Sequence, residues 1–249
     1  MLPIGDDDSG PRGFPVINLA LIGINAAVFL YQLASPDFTN GFSVVPREIT
    51  TGTDLVGRFP LPLPDGTTTF IEEARGPSPI WLTILSAMFM HGSWSHIGGN
   101  MLFLFIFGDN VERAFGHLRY LGFYLLCGVL ATFTQIAVGP NSIIPNLGAS
   151  GAIAGILAAY LVLFPRNRVR VLLGYFVTSV PAILMIGLWA MLQFFSGFGA
   201  LAPGGDSGGG GGVAYFAHIG GFIAGLVLAF VLRGSTDPTP VPTTVGWRR

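Results

Sequence analysis

Four side chains of this sequence have the types and spacing needed to hydrolyse an amide. Ser150 stands in Gly148-Ala149-Ser150-Gly151, His218 in Ala217-His218-Ile219-Gly220-Gly221, and His96 and Asn100 lie four residues apart. Amide hydrolysis requires an activated nucleophile, a base that accepts its proton, and donors aimed at the oxyanion. The Ser150 hydroxyl supplies the nucleophile, and the His218 imidazole, with an ordinary pKa of about 6.5, suits the proton shuttle. A spacing of four places His96 and Asn100 on one helix face. With the Ser150 N–H and the positive helix end behind it, they make a donor set for the oxyanion. The only acidic residue between Ser150 and the end of the last apolar stretch is Asp206, in a glycine-rich loop, so a Ser–His dyad is expected and not a triad. Each feature alone has a plainer explanation: a serine at a glycine-rich helix start usually caps it, and small residues at four-residue spacing pack helices. The conjunction is what points to chemistry.

The elements that must carry these residues are apolar. Of the 249 residues 51% are hydrophobic and only 10% charged, against roughly 25% charged in a soluble domain. Charge-free stretches at 14–36, 76–108, 120–165, 171–205 and 207–232 each exceed the roughly 20 residues of a membrane span. Divided at Gly139-Pro140-Asn141 and Pro145-Asn146, and with a short interfacial helix at Trp81–Met90, they predict six spans: Val16–Ala34, one from near Ser95, then 120–138, 148–164, 171–198 and 213–232. The expected fold is therefore an all-α, polytopic membrane bundle over 16–232, with a segment 1–15 before it and a disordered tail over 233–249. All 12 basic residues are arginines, and nine of them fall on one side when the N-terminus is inside. Basic residues are retained on the cytoplasmic side, which predicts two cytoplasmic termini. The starts of spans two, four and six then share the outer face, so His96, Asn100, Ser150 and His218 lie at one depth. The first external loop, about 37–80, is either a folded membrane-edge element or a connector. The glycine-rich loop Gly199–Gly212 is expected to cap the site. A net charge of -1 excludes a basic nucleic-acid face. The lone Cys127 excludes an internal disulfide or a cysteine zinc cage, and no metal or cofactor is expected.

The motifs resemble those of the rhomboid intramembrane serine proteases over about 80–232. The resemblance rests on His91-Gly92-Ser93-Trp94-Ser95-His96-Ile97-Gly98-Gly99-Asn100, on Gly148-Ala149-Ser150-Gly151 and on Ala217-His218-Ile219-Gly220-Gly221, with Phe107-Gly108-Asp109-Asn110-Val111-Glu112 similar to the exit of that family's second helix. It implies a six-helix bundle with a water-filled cavity, Ser150 as nucleophile, His218 as base, His96 and Asn100 as oxyanion donors, and single-pass membrane proteins as substrates. His91 maps to a structural first-loop histidine. The chain departs from the pattern at Ala154, where many relatives carry an aromatic residue against which the base packs, and at Leu82, where some carry arginine. An inactive rhomboid-like protein that binds membrane clients would lack the nucleophile or the base, and both are present. A channel or transporter would carry intramembrane charges, and the spans have none at depth. Arginine-only usage points to a GC-rich bacterial genome and a bacterial cell membrane.

Overall fold

The computed structural model describes residues 2–7, 13–63, 66–200 and 214–233. Five long helices, α1 (Val16–Ala34), α5 (Trp94–Phe115), α6 (His117–Val138), α8 (Ala182–Ala200) and α9 (Tyr215–Arg233), surround or flank the shorter α7 (Ser150–Leu163). Residues Gly151–Tyr160 of α7 are all buried, which makes it the central helix. Its small residues allow this. A Cβ on Gly151 would lie 2.5 Å from the Ala131 Cβ of α6, and one on Gly155 would lie 2.6 Å from Cys127.

Four of these helices, α1, α6, α8 and α9, are long and apolar enough to cross a membrane. Many of their side chains, such as Leu30, Phe133, Leu192 and Phe230, are exposed, as lipid-facing residues are. Helix α5 is as long, but Asp109, Glu112 and Arg113 occupy its last two turns. These groups are used. The Glu112 carboxylate accepts from the Ile17 and Asn18 backbone N–H groups and so caps the start of α1, and it also meets His117 Nδ1. Asn18 donates to the Leu104 carbonyl and accepts from the Tyr120 hydroxyl. A hydrogen bond to a charged group contributes about 1.5–3 kcal/mol, and buried ones join α1, α5 and α6 here.

The all-α expectation needs correction, because the fold is mostly helical with two small sheets. Strands β1 (Leu2–Asp6), β4 (Arg168–Leu173) and β5 (Phe176–Pro181) form an antiparallel sheet in the order β1-β4-β5. The fifth expected span is thus helix α8, which starts at Ala182 and not near 171. Arg168-Val169-Arg170-Val171 alternates with the period of a strand, and Gly174 at φ +59° makes the turn. The start of the chain, expected only as a preceding segment, supplies β1, which pairs Leu2 with Leu172. The tail from Gly234 and residues 201–213 of the glycine-rich loop lie outside the described residues.

The first loop is a folded element. It holds α2 (Pro36–Phe42), α3 (Pro46–Thr51) and the hairpin β2 (Gly57–Pro62) with β3 (Thr68–Glu73), and Val44 bridges to Asn146 before α7. Residues Ile80–Phe89 form a broken helix around α4 (Thr83–Ser86). Within the loop Glu73 is buried and neither carboxylate oxygen has a partner. Burial, together with the nearby Glu48 and Asp54 charges, raises its pKa to about 8. Between the ordinary value of 4.5 and about 8 the folded protein holds a proton that the unfolded chain has released. Stability contributed at this site therefore falls as pH rises through that window. Thermal unfolding in detergent should show Glu73→Gln matching the wild type near the lower end of the window and melting higher than it at the upper end; equal melting at the upper end would show that Glu73 is not buried in this way.

Candidate active site

The first turn of α5, the start of α7 and the first turn of α9 meet at one end of the bundle, around a cavity of about 700 Å³ lined by His96, Asn100, Ser150, Trp189 and His218. All four residues singled out by their chemistry thus line one cavity. Each is held by local structure. Ser93 caps α5 by accepting from the His96 N–H at 3.1 Å. Gly148, at φ +133°, turns the chain into α7, and a Cβ there would lie 2.9 Å from the His96 Nε2. Only glycine fits between the His96 ring and Ser150. The Ala217 N–H at the start of α9 donates to Gln135 Oε1 of α6 at 3.1 Å, which anchors the turn that carries His218.

The hydrogen bonds assign opposite roles to the two imidazoles. The Gly92 N–H donates to His96 Nδ1 at 3.3 Å, so the proton of a neutral ring sits on Nε2, the nitrogen beside Gly148. His218 Nδ1 lies 2.9 Å from Gln193 Oε1. An amide oxygen only accepts, so here Nδ1 carries the proton and Nε2 is a free base. One histidine offers a donor and the other an acceptor. Asn100 adds a second donor, since its buried Nδ2 has no partner. Among the described residues no hydrogen bond joins Ser150 to His218, though both line the cavity. His91 is buried, with both ring nitrogens unpartnered and its ring 5.0 Å from that of His96. Its backbone N–H donates to Gln32 Oε1 of α1 at 2.8 Å.

A family model described as the Rhomboid domain matches residues 79–235. The chain belongs to the rhomboid family. Relatives include the rhomboid protease GluP of Bacillus subtilis, 32% identical over 152 residues that cover 61% of this chain and 26% of that protein. The chloroplastic Rhomboid-like protein 11 of Arabidopsis thaliana is 31% identical over 160 residues, 62% of this chain and 53% of that protein. The mitochondrial Rhomboid protein 1 of Saccharomyces cerevisiae is 30% identical over 160 residues, 63% of this chain and 43% of that protein. The matches thus span about half or less of the length of these relatives. They come from a bacterium, a chloroplast and mitochondria, so they lend no support to a bacterial origin over the others. Family membership and the four apolar helices make this a multi-pass integral membrane protein.

For a rhomboid with Ala154 in place of an aromatic residue, His218 needs another support, and sequence reasoning missed it. The support comes from α8: Gln193 holds Nδ1, and the Trp189 ring lies 5.9 Å from the imidazole, tilted by 36°. A lone glutamine in an apolar stretch was the available signal, because an amide at depth needs a partner. Replacing Gln193 by leucine keeps the volume and removes the acceptor. Cleavage of a membrane-protein test substrate should then lose on the order of 10- to 100-fold in kcat, the scale of a small misplacement of a reacting group, with KM unchanged. An undiminished kcat would show that Gln193 does not orient the ring.

Proposed function

We propose that this rhomboid is an intramembrane serine endopeptidase that works through a Ser150–His218 dyad. The observation that carries the reading is the hydrogen-bond pattern, which leaves Nε2 of His96 as a donor and Nε2 of His218 as a base in the same cavity as Ser150. Ser150 Oγ attacks the scissile carbonyl carbon while its proton passes to His218 Nε2. The carbonyl oxygen becomes an oxyanion that accepts from His96 Nε2–H, Asn100 Nδ2–H and the Ser150 N–H at the positive end of α7. Collapse of this intermediate breaks the C–N bond, and His218 gives its proton to the leaving amine. Water, deprotonated by the same nitrogen, then hydrolyses the acyl-enzyme and restores the serine. Catalytic hydrogen bonds commonly tighten when substrate binds, and the Ser150–His218 bond forms at that stage.

The membrane arrangement in this reading is a six-helix one, with α5 and α7 completing the set made by α1, α6, α8 and α9. Helix α7 has 14 residues, about 21 Å at 1.5 Å each, less than the roughly 30 Å of a hydrocarbon core. A short central helix lets the Ser150 end open to water below the surface. Arginine placement puts both termini on the cytoplasmic side, opposite the cavity mouth. Substrates are single-pass membrane proteins, whose helical amides are already hydrogen-bonded, so a scissile segment must unwind first. Glycine, proline or small residues near the outer membrane edge make that easier.

Cleavage of a single-pass test substrate in liposomes checks the mechanism. Ser150→Ala and His218→Ala should abolish it, and Asn100→Ala should slow it by on the order of 10²- to 10³-fold, the usual effect of losing one oxyanion donor. Retained cleavage by the Ser150 variant would refute the dyad.

A further inference from the structure

The β4–β5 hairpin lies at the opposite end of α7 from Ser150, joined to Leu163 by four residues. Its root is built into the fold. Val169 and Val171 are fully buried in the main core, β1 pairs along the outer edge of β4, and the Arg168 guanidinium donates to the Ser179 carbonyl at 2.6 Å. Past Leu172 this cover ends. Leu173 is 44% exposed, Tyr175 100%, Phe176 78% and Val177 61%.

The register shows why this tip is unlike a protein-docking surface. Leu173 lies opposite Phe176 and, on the other face, Leu172 lies opposite Val177, because successive side chains alternate across a strand. The tip is apolar on both faces. A sheet that docks on another protein is apolar on the docked face and polar on the wet one. A tip apolar all round matches immersion in an isotropic apolar medium.

Charge and position agree with that occupant. Residues 166–181 include Arg166, Arg168 and Arg170 and no acid. The acids that β1 brings stay at the root, where Asp6 accepts from Asn110 and Tyr160 and Asp7 from the Arg168 N–H. Arg170 and Leu173 are three positions apart, about 10 Å along a strand, close to the roughly 5–10 Å to which interfacial elements enter a leaflet. The turn also carries a tyrosine, a residue enriched at membrane interfaces. Strand β5 continues without a loop into α8, whose Ile183 and Leu184 are exposed at the start of a candidate span. The hairpin root is therefore where the chain enters the bilayer.

We propose that the β4–β5 hairpin is a membrane-inserting finger: Leu173, Tyr175, Phe176 and Val177 enter the leaflet at the end of the bundle away from the cavity, and the arginines above them bind anionic lipid headgroups. The finger ties α8, and with it Trp189 and Gln193, to the bilayer at one end. The proposal rests on the membrane fold and stands whether or not the protein cleaves substrates.

The test uses the full chain reconstituted in phosphatidylcholine vesicles with and without phosphatidylglycerol. Tyr175 makes no buried contact, so Tyr175→Cys preserves the fold and takes an environment-sensitive fluorophore, while the single native cysteine, Cys127, is buried and leaves the wild type unlabelled as the control. The expected result is blue-shifted emission, quenching by nitroxides placed shallowly on the acyl chains, protection from aqueous iodide, and greater protection with phosphatidylglycerol. Full access to iodide without lipid quenching would overturn the proposal. So would excimer emission from pyrene at position 175, which would place a second copy of the chain on the tip.

Discussion

The contact between α7 and α9 is the constraint on which the site depends. A Cβ on Gly221 would lie 2.0 Å from the Gly151 carbonyl oxygen, and one on Gly225 would lie 2.4 Å from that of Gly155. The two backbones touch over two turns with no side chain between them. In lipid no general hydrophobic force draws helices together, so close approach through small residues supplies the packing energy. The same approach sets Ser150, one residue before Gly151, and His218, three before Gly221, on a common wall. Helix α6 completes the seat, with Ala131 and Cys127 against the glycines of α7 and Gln135 holding the first turn of α9. The geometry of the candidate site and the structural packing here are one set of contacts.

An apolar surrounding makes every polar group costly unless it is paired or faces water. At the end of the bundle away from the cavity the solution is pairing, with Glu112, Asn18 and Tyr120 satisfying one another and the start of α1. At the cavity end pairing is partial. His96 and His218 each give one ring nitrogen to a support, the Gly92 N–H or Gln193, and leave the other without a partner among the described residues, and the buried Asn100 Nδ2 has no partner either. Helix α5 thus joins both regimes, with its candidate-site residues in its first two turns and its structural charges in its last two.

The candidate site was legible in the sequence because its residues are polar groups in charge-free stretches and occur in motifs. The motifs put Ser150, His218, His96 and Asn100 all near helix starts. The orientation of His218 was not legible. Gln193 is 25 residues away, and its pairing with His218 follows from how α8 packs on α9, which no local pattern encodes. The β4–β5 hairpin was hidden for another reason: average apolarity over 171–198 reads alike for a strand and a helix. The period-two signal there is short, and its partner strand lies at the far end of the chain. The buried Glu73 also escaped notice, since a carboxylate in a glycine- and proline-rich loop looks solvated until the loop folds around it.

If Ser150 is the activated nucleophile, a fluorophosphonate should modify it covalently and nothing else in the chain. The most direct measurement is mass spectrometry of the labelled wild-type protein in a membrane, beside folded Gln193→Leu and His218→Ala variants. The account predicts a single adduct mapped to Ser150, slower labelling in the first variant and none in the second. An adduct on another residue, or undiminished labelling of Ser150 without His218, would contradict it.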